Sequence, residues 1–502
     1  MAMNVLLITL DQFRGDCLSA AGHHLVRTPN LDRLAANGVR LARHYSQAAP
    51  CAPGRASLYT GMYQMNHRVV GNGTPLDARF DNVALAARRA GYRPALFGYT
   101  DQAVDPRTTS GPDDPRLSTW EGILPGFDVV VDLSDDARPW VDWLVARGYD
   151  VTGGGEELLA TESERPATVS LSTFLTVQAV DWIERQDEPW FAHLSYWRPH
   201  PPYAAAGHWA HEYSPADVEL PIAPAARRHP MHDFALGLPA SAAPVDEPGL
   251  RHLRAQYYGM VSEVDDQLGR LWEVLERIGR FDDTIVVVVS DHGEMLGDHG
   301  LKEKLGYWEQ SYFVLGIIRD PRHPEAHGTV VDAFTENVDV MPTICDAIGV
   351  GVPAQCDGFP LTPFLCGEAP PRWRDAAHWE YDWRAMAVAT APHEWPWDRV
   401  LERQHLAVRR DERYAYVQFG DGSWRCFDVD ADPTWRTETA DPAVVLPLAQ
   451  AMLTWRSRHT DRTLADLVVG AGSASGGRWP PMPAGWFGAG GSAGDFGVKP
   501  DP

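Results

Sequence analysis

Two runs, "NVLLITL" at residues 4–10 and "TIVVVVS" at 284–290, are almost wholly apolar over the length of a strand. Each ends at an acidic residue, Asp11 and Asp291. A strand without polar alternation is covered on both faces, as in the centre of a parallel sheet. The chain between and around them carries helix punctuation. "TPNLDRLAANG" offers Thr28 as N-cap, Pro29 at the first helical position and Gly38 just past the end. "DNVALAARRAGYRPALFGYT" reads as a helix from about Asn82, a stop at Gly91 and a strand near 94–99, and "LSTFLTVQAVDWIERQDEPWFAHLSYW" repeats helix then strand. "LRHLRAQYYGMVSEVDDQLGRLWEVLERIG" is the strongest helical pattern and leads into the run before Asp291. This alternation predicts a doubly wound, mostly parallel α/β sheet with its site at the carboxyl ends of the strands.

At 502 residues the chain exceeds what one core usually holds, so a large domain with a smaller companion is expected. Residues 1–395 carry the strand–helix alternation. From 396 to 470 the texture changes: "HLAVRRDERYAYVQFGDGSWRCFDV" reads as antiparallel strands turned at Gly420 to Gly422, giving a smaller α+β subdomain. Residues 471–502, rich in Gly, Ala, Ser and Pro, form either a flexible tail or an arm laid on a partner subunit.

The net charge of -24 is spread along the chain, and such a surface repels phosphate backbones and anionic lipid. Nucleic acid and membrane surfaces are therefore not expected partners, and an anionic substrate must be held by local cations or a metal. The six cysteines show no CxxC pairing. The first apolar run is short, lacks a basic flank and meets Asp11 without a cleavage signal, and no stretch reaches membrane-helix length. A cytoplasmic enzyme with reduced thiols is expected.

Asp11-Gln12 and Asp291-His292 follow the two best strands. In a parallel sheet these ends share one edge, where two carboxylates, an amide oxygen and an imidazole could converge on one divalent cation. The competing reading is that Asp11 and Asp291 cap the turns that follow. The imidazole favours a transition ion: Mn2+ first, with Zn2+ or Fe2+ as alternatives, and Ca2+ less suited.

"AAPCAPGRASLYTG" places Cys51 at the start of a helix, with Arg55 one turn on along the same face. The dipole and the cation would acidify a thiol there. A buried inert cysteine, a thiolate nucleophile and a precursor of another group all remain open on this evidence.

"CAPGRASLYTG" resembles the type I sulfatase signature, in which the cysteine of C-x-P-x-R is oxidised after translation to formylglycine. "LDQ" and "SDHGE" resemble the metal-binding strand ends of the alkaline phosphatase superfamily. Within it, "YQMNHRVVGNGTPLD", "GYTDQAVDPRTTS", "YWRPHPPY", "LGDHGLKEKLGY" and "HWEYDWR" are similar to phosphonate monoester hydrolases and related arylsulfatases. The resemblance implies an alkaline-phosphatase-like fold, one divalent metal held by Asp11, Gln12, Asp291, His292 and the modified Cys51, and a formylglycine-generating enzyme as maturation partner. It implies that the hydrated aldehyde attacks phosphorus or sulfur and expels the alcohol, and that its second hydroxyl then releases the acid. Arg55 would hold the nucleophile and a nonbridging oxygen; Lys304 and His200 take the remaining cationic and leaving-group positions, and Asn72 and Tyr99 contact substrate oxygens.

Two residues depart from the pattern. Gly54 stands where Ser or Ala is usual, adding backbone freedom at a cost in helix stability. Asp101 stands where a substrate-contacting threonine is expected, and its charge would disfavour doubly charged phosphate monoesters. The expected activity is hydrolysis of phosphonate monoesters or phosphodiesters overlapping with sulfate esters, with a dedicated arylsulfatase as the alternative. A phosphomutase-like transferase and an inactive binding homologue are less favoured, since the Cys51 signature and the ligand residues are intact. The resemblance also implies a homodimer or homotetramer acting on a small anionic ester.

Overall fold

The computed structural model describes residues 2–119, 121–134, 136–384, 399–460, 467–470 and 473–476. Its larger sheet has eight strands in the order β5-β4-β6-β1-β7-β8-β2-β9. These are β1 (Asn4–Leu10), β2 (Val39–Tyr45), β4 (Ala95–Gly98), β5 (Asp128–Asp132), β6 (Phe191–Tyr196), β7 (Thr284–Val289), β8 (Gly316–Arg319) and β9 (Thr329–Glu336). All adjacent pairs are parallel except those of β8, which runs antiparallel to β7 and β2. The fold is thus α/β, with a large mixed, mostly parallel sheet.

Every residue of β1 and β7 is buried. Alternate side chains serve two separate cores: Leu6, Ile8, Leu10, Val286 and Val288 face one cluster with Trp272, while Val5, Leu7, Ile285, Val287 and Val289 face another with Ala52, Ala56 and Tyr59. A strand whose two faces each meet an apolar layer has no polar face to show, which accounts for the unbroken runs in the sequence. The first cluster is closed by the 31-residue helix Glu247–Arg277 and by Leu171–Ile183. The second is closed by Cys51–Thr60 and Val83–Arg89.

One cap differs from expectation. Thr28 makes no capping bond to the helix Pro29–Ala36; its hydroxyl accepts from the Ser19 amide instead. The helix start is capped from outside by Asp265, which accepts from the amides of Asn30 at 3.1 Å and Leu31 at 2.7 Å. A carboxylate from a packed helix satisfies the same orphan donors and adds favourable charge at the dipole's positive end.

The smaller sheet has the order β13-β12-β11-β10-β3, with β3 (Ala48–Ala49), β10 (Ala376–Asp382), β11 (His405–Asp411), β12 (Tyr414–Phe419) and β13 (Trp424–Asp428). It is antiparallel except where β10 pairs in parallel with β3. The helix Pro442–His459 packs on it through Leu448, Met452 and Trp455. This sheet therefore starts at 376, ahead of the texture change in the sequence, and borrows a strand from residues 48–49. The boundary expected between 395 and 396 falls outside the described residues, as does the tail from 471 apart from 473–476. Among the described residues no helix is long and apolar enough to cross a membrane, and all six cysteines are free.

Candidate active site

The register between β1 and β7 runs from Asn4 opposite Thr284 to Thr9 opposite Val289. Continued two residues further, it sets Asp11 opposite Asp291 at the carboxyl edge of the sheet. The helix Cys51–Thr60 begins at the same edge, because β3 and its partner β10 hold the segment that leads into it. Asp11, Cys51, Asp291 and His292 each offer a ligand atom within 4.8 Å of the others, and all four are buried.

His292 Nδ1–H donates to the Gly293 carbonyl at 3.1 Å, which leaves the Nε2 lone pair facing Cys51 Sγ at 3.2 Å. Burial, then the Lys304 charge, pushes its pKa down to about 3, so the ring is neutral and able to ligate. Burial alone would raise the Asp11 carboxyl, but the surrounding cations, Arg55 and Lys304 among them, bring it far below the usual range. Burial raises Asp291, with Asp11 adding to the effect. Two buried carboxylates and a neutral imidazole around a central gap form a donor set that fits a divalent cation.

Arg55 is fully buried and its donors are spent inside the protein. Nε donates to Asp291 Oδ2 at 2.9 Å, Nη2 to Asp11 Oδ2 at 3.0 Å, and Nη1 to Ser195 Oγ at 2.7 Å and the Tyr99 carbonyl at 3.2 Å. It joins the two strand ends as a fixed clamp, and only the second Nη2 hydrogen is left for a ligand. The Tyr99 hydroxyl donates to Asp11 Oδ2 at 2.5 Å and its ring lies under the guanidinium.

Lys304 Nζ donates to Gln12 Oε1 at 2.7 Å and lies 2.8 Å from His200 Nε2. Gln12, in a left-handed turn with φ of 67°, donates its amide to Glu294, which also accepts from the Tyr203 hydroxyl at 2.9 Å. Its oxygen thus faces Lys304, and it is its backbone amide that touches the buried quartet, donating to Asp291 Oδ1 at 3.1 Å. His200 Nδ1–H donates to the Pro201 carbonyl at 2.7 Å, so Nε2 accepts from Lys304. Burial and the Lys304 charge push His200 down to about 4, whereas the carboxylates of Glu303 and Asp11 keep Lys304 protonated despite its burial. The proton of this pair therefore resides on Lys304, and His200 has one to pass on only after taking it from its neighbour.

Asn72 is exposed, and its Oδ1 accepts from the Ala52 amide at 3.0 Å, beside Cys51 at the helix start. Asp101 is buried and lies 3.7 Å from Arg55 Nε. The thiol of unmodified Cys51 is not acidified as expected: burial, followed by the carboxylate of Asp11, drives its pKa well up and outweighs the dipole and Lys304. Gly54 is more than a loose point in the helix. A Cβ there would sit 2.6 Å from the Asp291 carbonyl and 3.0 Å from that of Ala48, so glycine lets the helix lie directly on the metal-side strand end.

Sequence reasoning missed the residues that hold these groups in place. Ser195 and Tyr59 support Arg55, and Glu294 orients Gln12. Glu294 stood within the quoted "SDHGE", two residues past His292, and was the one legible of the three. A further Asp-His pair, Asp298-His299, lies outside the quartet and is structural, with Asp298 bound to Arg14 at 2.6 Å and Arg254 at 2.8 Å.

The Sulfatase family profile matches residues 3–350, and that of N-sulphoglucosamine sulphohydrolase, C-terminal, matches 297–454. The chain is 38% identical over 501 residues to the multifunctional alkaline phosphatase superfamily protein PehA of Trinickia caryophylli, covering 92% of this chain and 96% of that one. Its structure is similar to the phosphonate monoester hydrolase of Agrobacterium radiobacter, with TM-score 0.86 and 41% identity over 95% of this chain and 100% of the other. It is also similar to phosphonate monoester hydrolase SpPMH of Silicibacter pomeroyi, with TM-score 0.83 and 36% identity over 95% and 99%. The family implies a divalent metal and formylglycine, and the buried quartet at the two strand ends fits both. With the signature cysteine at a helix start, its arginine clamped between those strand ends and the profile spanning most of the chain, the protein belongs to the sulfatase family of the alkaline phosphatase superfamily, hydrolases acting on ester bonds.

Proposed function

We propose that this chain hydrolyses singly charged phosphonate monoesters and phosphodiesters, with sulfate ester hydrolysis at the same centre. Chain-length similarity to two phosphonate monoester hydrolases, at 41% and 36% identity, carries this reading. The site chemistry supports it. A divalent metal, Mn2+ in first place, and a formylglycine hydrate at position 51 supply electrophilic stabilisation and an oxygen nucleophile when present. Asp11, Gln12, Asp291 and His292 would hold the metal, Gln12 through the amide oxygen that here accepts from Lys304. Arg55 fixes both strand-end carboxylates and keeps one Nη2 hydrogen available for the reacting group. Lys304 carries the proton that the departing alcohol needs, with His200 next to it as relay, and the Asn72 amide and the Tyr99 hydroxyl border the pocket.

The six free cysteines and a surface charge of -24 support a reducing cytoplasm and a small anionic ester rather than a polyanion as partner. Maturation by a formylglycine-generating enzyme and assembly into a homodimer or homotetramer belong to the same reading. The test is a panel of kcat/KM values for a phenyl phosphonate monoester, a phosphodiester, an aryl sulfate and a phosphate monoester on modified, Mn2+-loaded enzyme. Highest values for the first two are expected. An aryl sulfate far ahead of both would mark a dedicated arylsulfatase.

A further inference from the structure

Asp101 is the one acidic residue around Arg55 whose position the metal site does not explain. It is 3% exposed, yet none of the hydrogen bonds found among the described residues involves its carboxylate. Its nearest cationic neighbour is Arg55 Nε at 3.7 Å, and that atom's single hydrogen goes to Asp291 Oδ2 at 2.9 Å. The fold must hold this carboxylate, whose side chain is 5% exposed and which is paired with Arg55 through charge alone, where it is. The backbone does so: Asp101 has φ of 52°, a left-handed conformation that non-glycine residues seldom adopt.

Its neighbours are pinned on both sides. The Thr100 hydroxyl donates to the Gly122 carbonyl at 2.8 Å and accepts from the Leu124 amide at 2.8 Å. The Gln102 side chain donates to the Ala52 carbonyl at 3.0 Å, one residue from Cys51, and its backbone amide donates to Gly122 at 3.2 Å. A Cβ on Gly122 would lie 2.3 Å from the Gln102 carbonyl, so the two segments meet without room for a side chain. This contact also brings Glu121 alongside. Burial, then the charge of Asp101, pushes Glu121 up to about 8, and burial pushes Asp101 up to about 7.

We infer that Asp101, backed by Glu121, is a specificity-determining residue that makes this site prefer esters carrying one negative charge over those carrying two. The geometry leaves a buried carboxylate without a hydrogen bond, on a left-handed backbone position, 3.7 Å from Arg55 at the edge of the metal site. Around the reacting group, Asp101 sets one negative charge against the cations Arg55, Lys304 and the metal. A singly charged ester presents one anionic oxygen to those cations and can turn its neutral substituent toward Asp101. A doubly charged phosphate monoester cannot, because its three nonbridging oxygens share the charge and one of them must approach the carboxylate. This rests on the ester hydrolase reading above and deepens it with a rule for substrate charge.

The experiment compares p-nitrophenyl phenylphosphonate with p-nitrophenyl phosphate on wild type, Asp101→Asn, Asp101→Thr and Glu121→Gln, all modified and Mn2+-loaded, at about pH 8.5, where a carboxyl shifted to about 7 is ionised. The readout is the ratio of the two kcat/KM values, which cancels losses common to both substrates. In Asp101→Asn and Asp101→Thr the ratio should move toward the phosphate monoester by about tenfold or more, and in Glu121→Gln by a smaller factor in the same direction. Inhibition by inorganic phosphate should tighten in step. An unchanged ratio in both Asp101 variants, or a shift away from the dianion, would overturn the inference. A wild type inactive on both esters would instead count against the proposed function itself.

Discussion

His292 Nε2 faces Cys51 Sγ at 3.2 Å, across the gap that Asp11 and Asp291 close from either side. The contact joins the end of β7 to the start of the helix Cys51–Thr60, and the Gly293 carbonyl fixes which ring nitrogen points inward. On the proposed metal site, replacing His292 with Ala should remove a ligand rather than a supporting group. Mn2+ affinity should fall by more than the ten- to hundredfold, on the order seen for outer partners. Metal content after dialysis, read by elemental analysis against a folded control, checks this.

Lys304 Nζ donates to His200 Nε2 at 2.8 Å, and in the proposed reaction the two side chains act as one unit. Lys304→Ala and His200→Ala should each lower kcat/KM by about 10²-fold or more, with larger losses for esters of less acidic alcohols. The double variant should be little worse than the worse single one. Additive losses, or equal losses along a series of phenols, would separate the two residues.

Gly54 admits the Asp291 carbonyl to within 2.6 Å of where a Cβ would lie. Gly54→Ala must therefore move the helix off the strand end, because both obstructing atoms are backbone. A loss of about 1–3 kcal/mol is expected from such overpacking, together with weaker metal binding. Thermal unfolding of metal-loaded and stripped protein should show the gap between the two shrinking in the variant.

Three buried histidines outside the buried quartet tie folding to pH. His44, His67 and His193 are buried and pushed by desolvation to about 4, 3 and 3. Native protein keeps them neutral, whereas the unfolded chain takes up protons below its ordinary histidine pKa of about 6.5. Their contribution is complete above that pH and is lost progressively as pH falls toward about 4. Against wild type, His67→Gln, which removes a ring shifted by burial alone, should lower the slope of unfolding free energy against pH in this window by about one proton.

The central strands were legible because their environment is uniform: β1 and β7 have an apolar layer on each face, so the sequence shows it without ambiguity. The pair of acidic ends was legible for the same reason, since a shared register carries Asp11 to Asp291. What escaped was set by contacts distant in sequence. Nothing near Thr28 indicates that Asp265 caps its helix, and nothing near Arg55 indicates Ser195 beneath it. The raised thiol of Cys51 escaped likewise, because dipole and Arg55 are local whereas burial and Asp11 are not. Gly54 looked like a weakness in a helix until the Asp291 carbonyl was found against it.

The whole account turns on residue 51. Protein coexpressed with a formylglycine-generating enzyme should be digested and the peptide carrying position 51 examined by mass spectrometry. That peptide should be about 18 Da lighter than the cysteine form, inert to thiol alkylation and reactive toward a hydrazide. A fully active enzyme whose peptide keeps the cysteine mass and alkylates would contradict it.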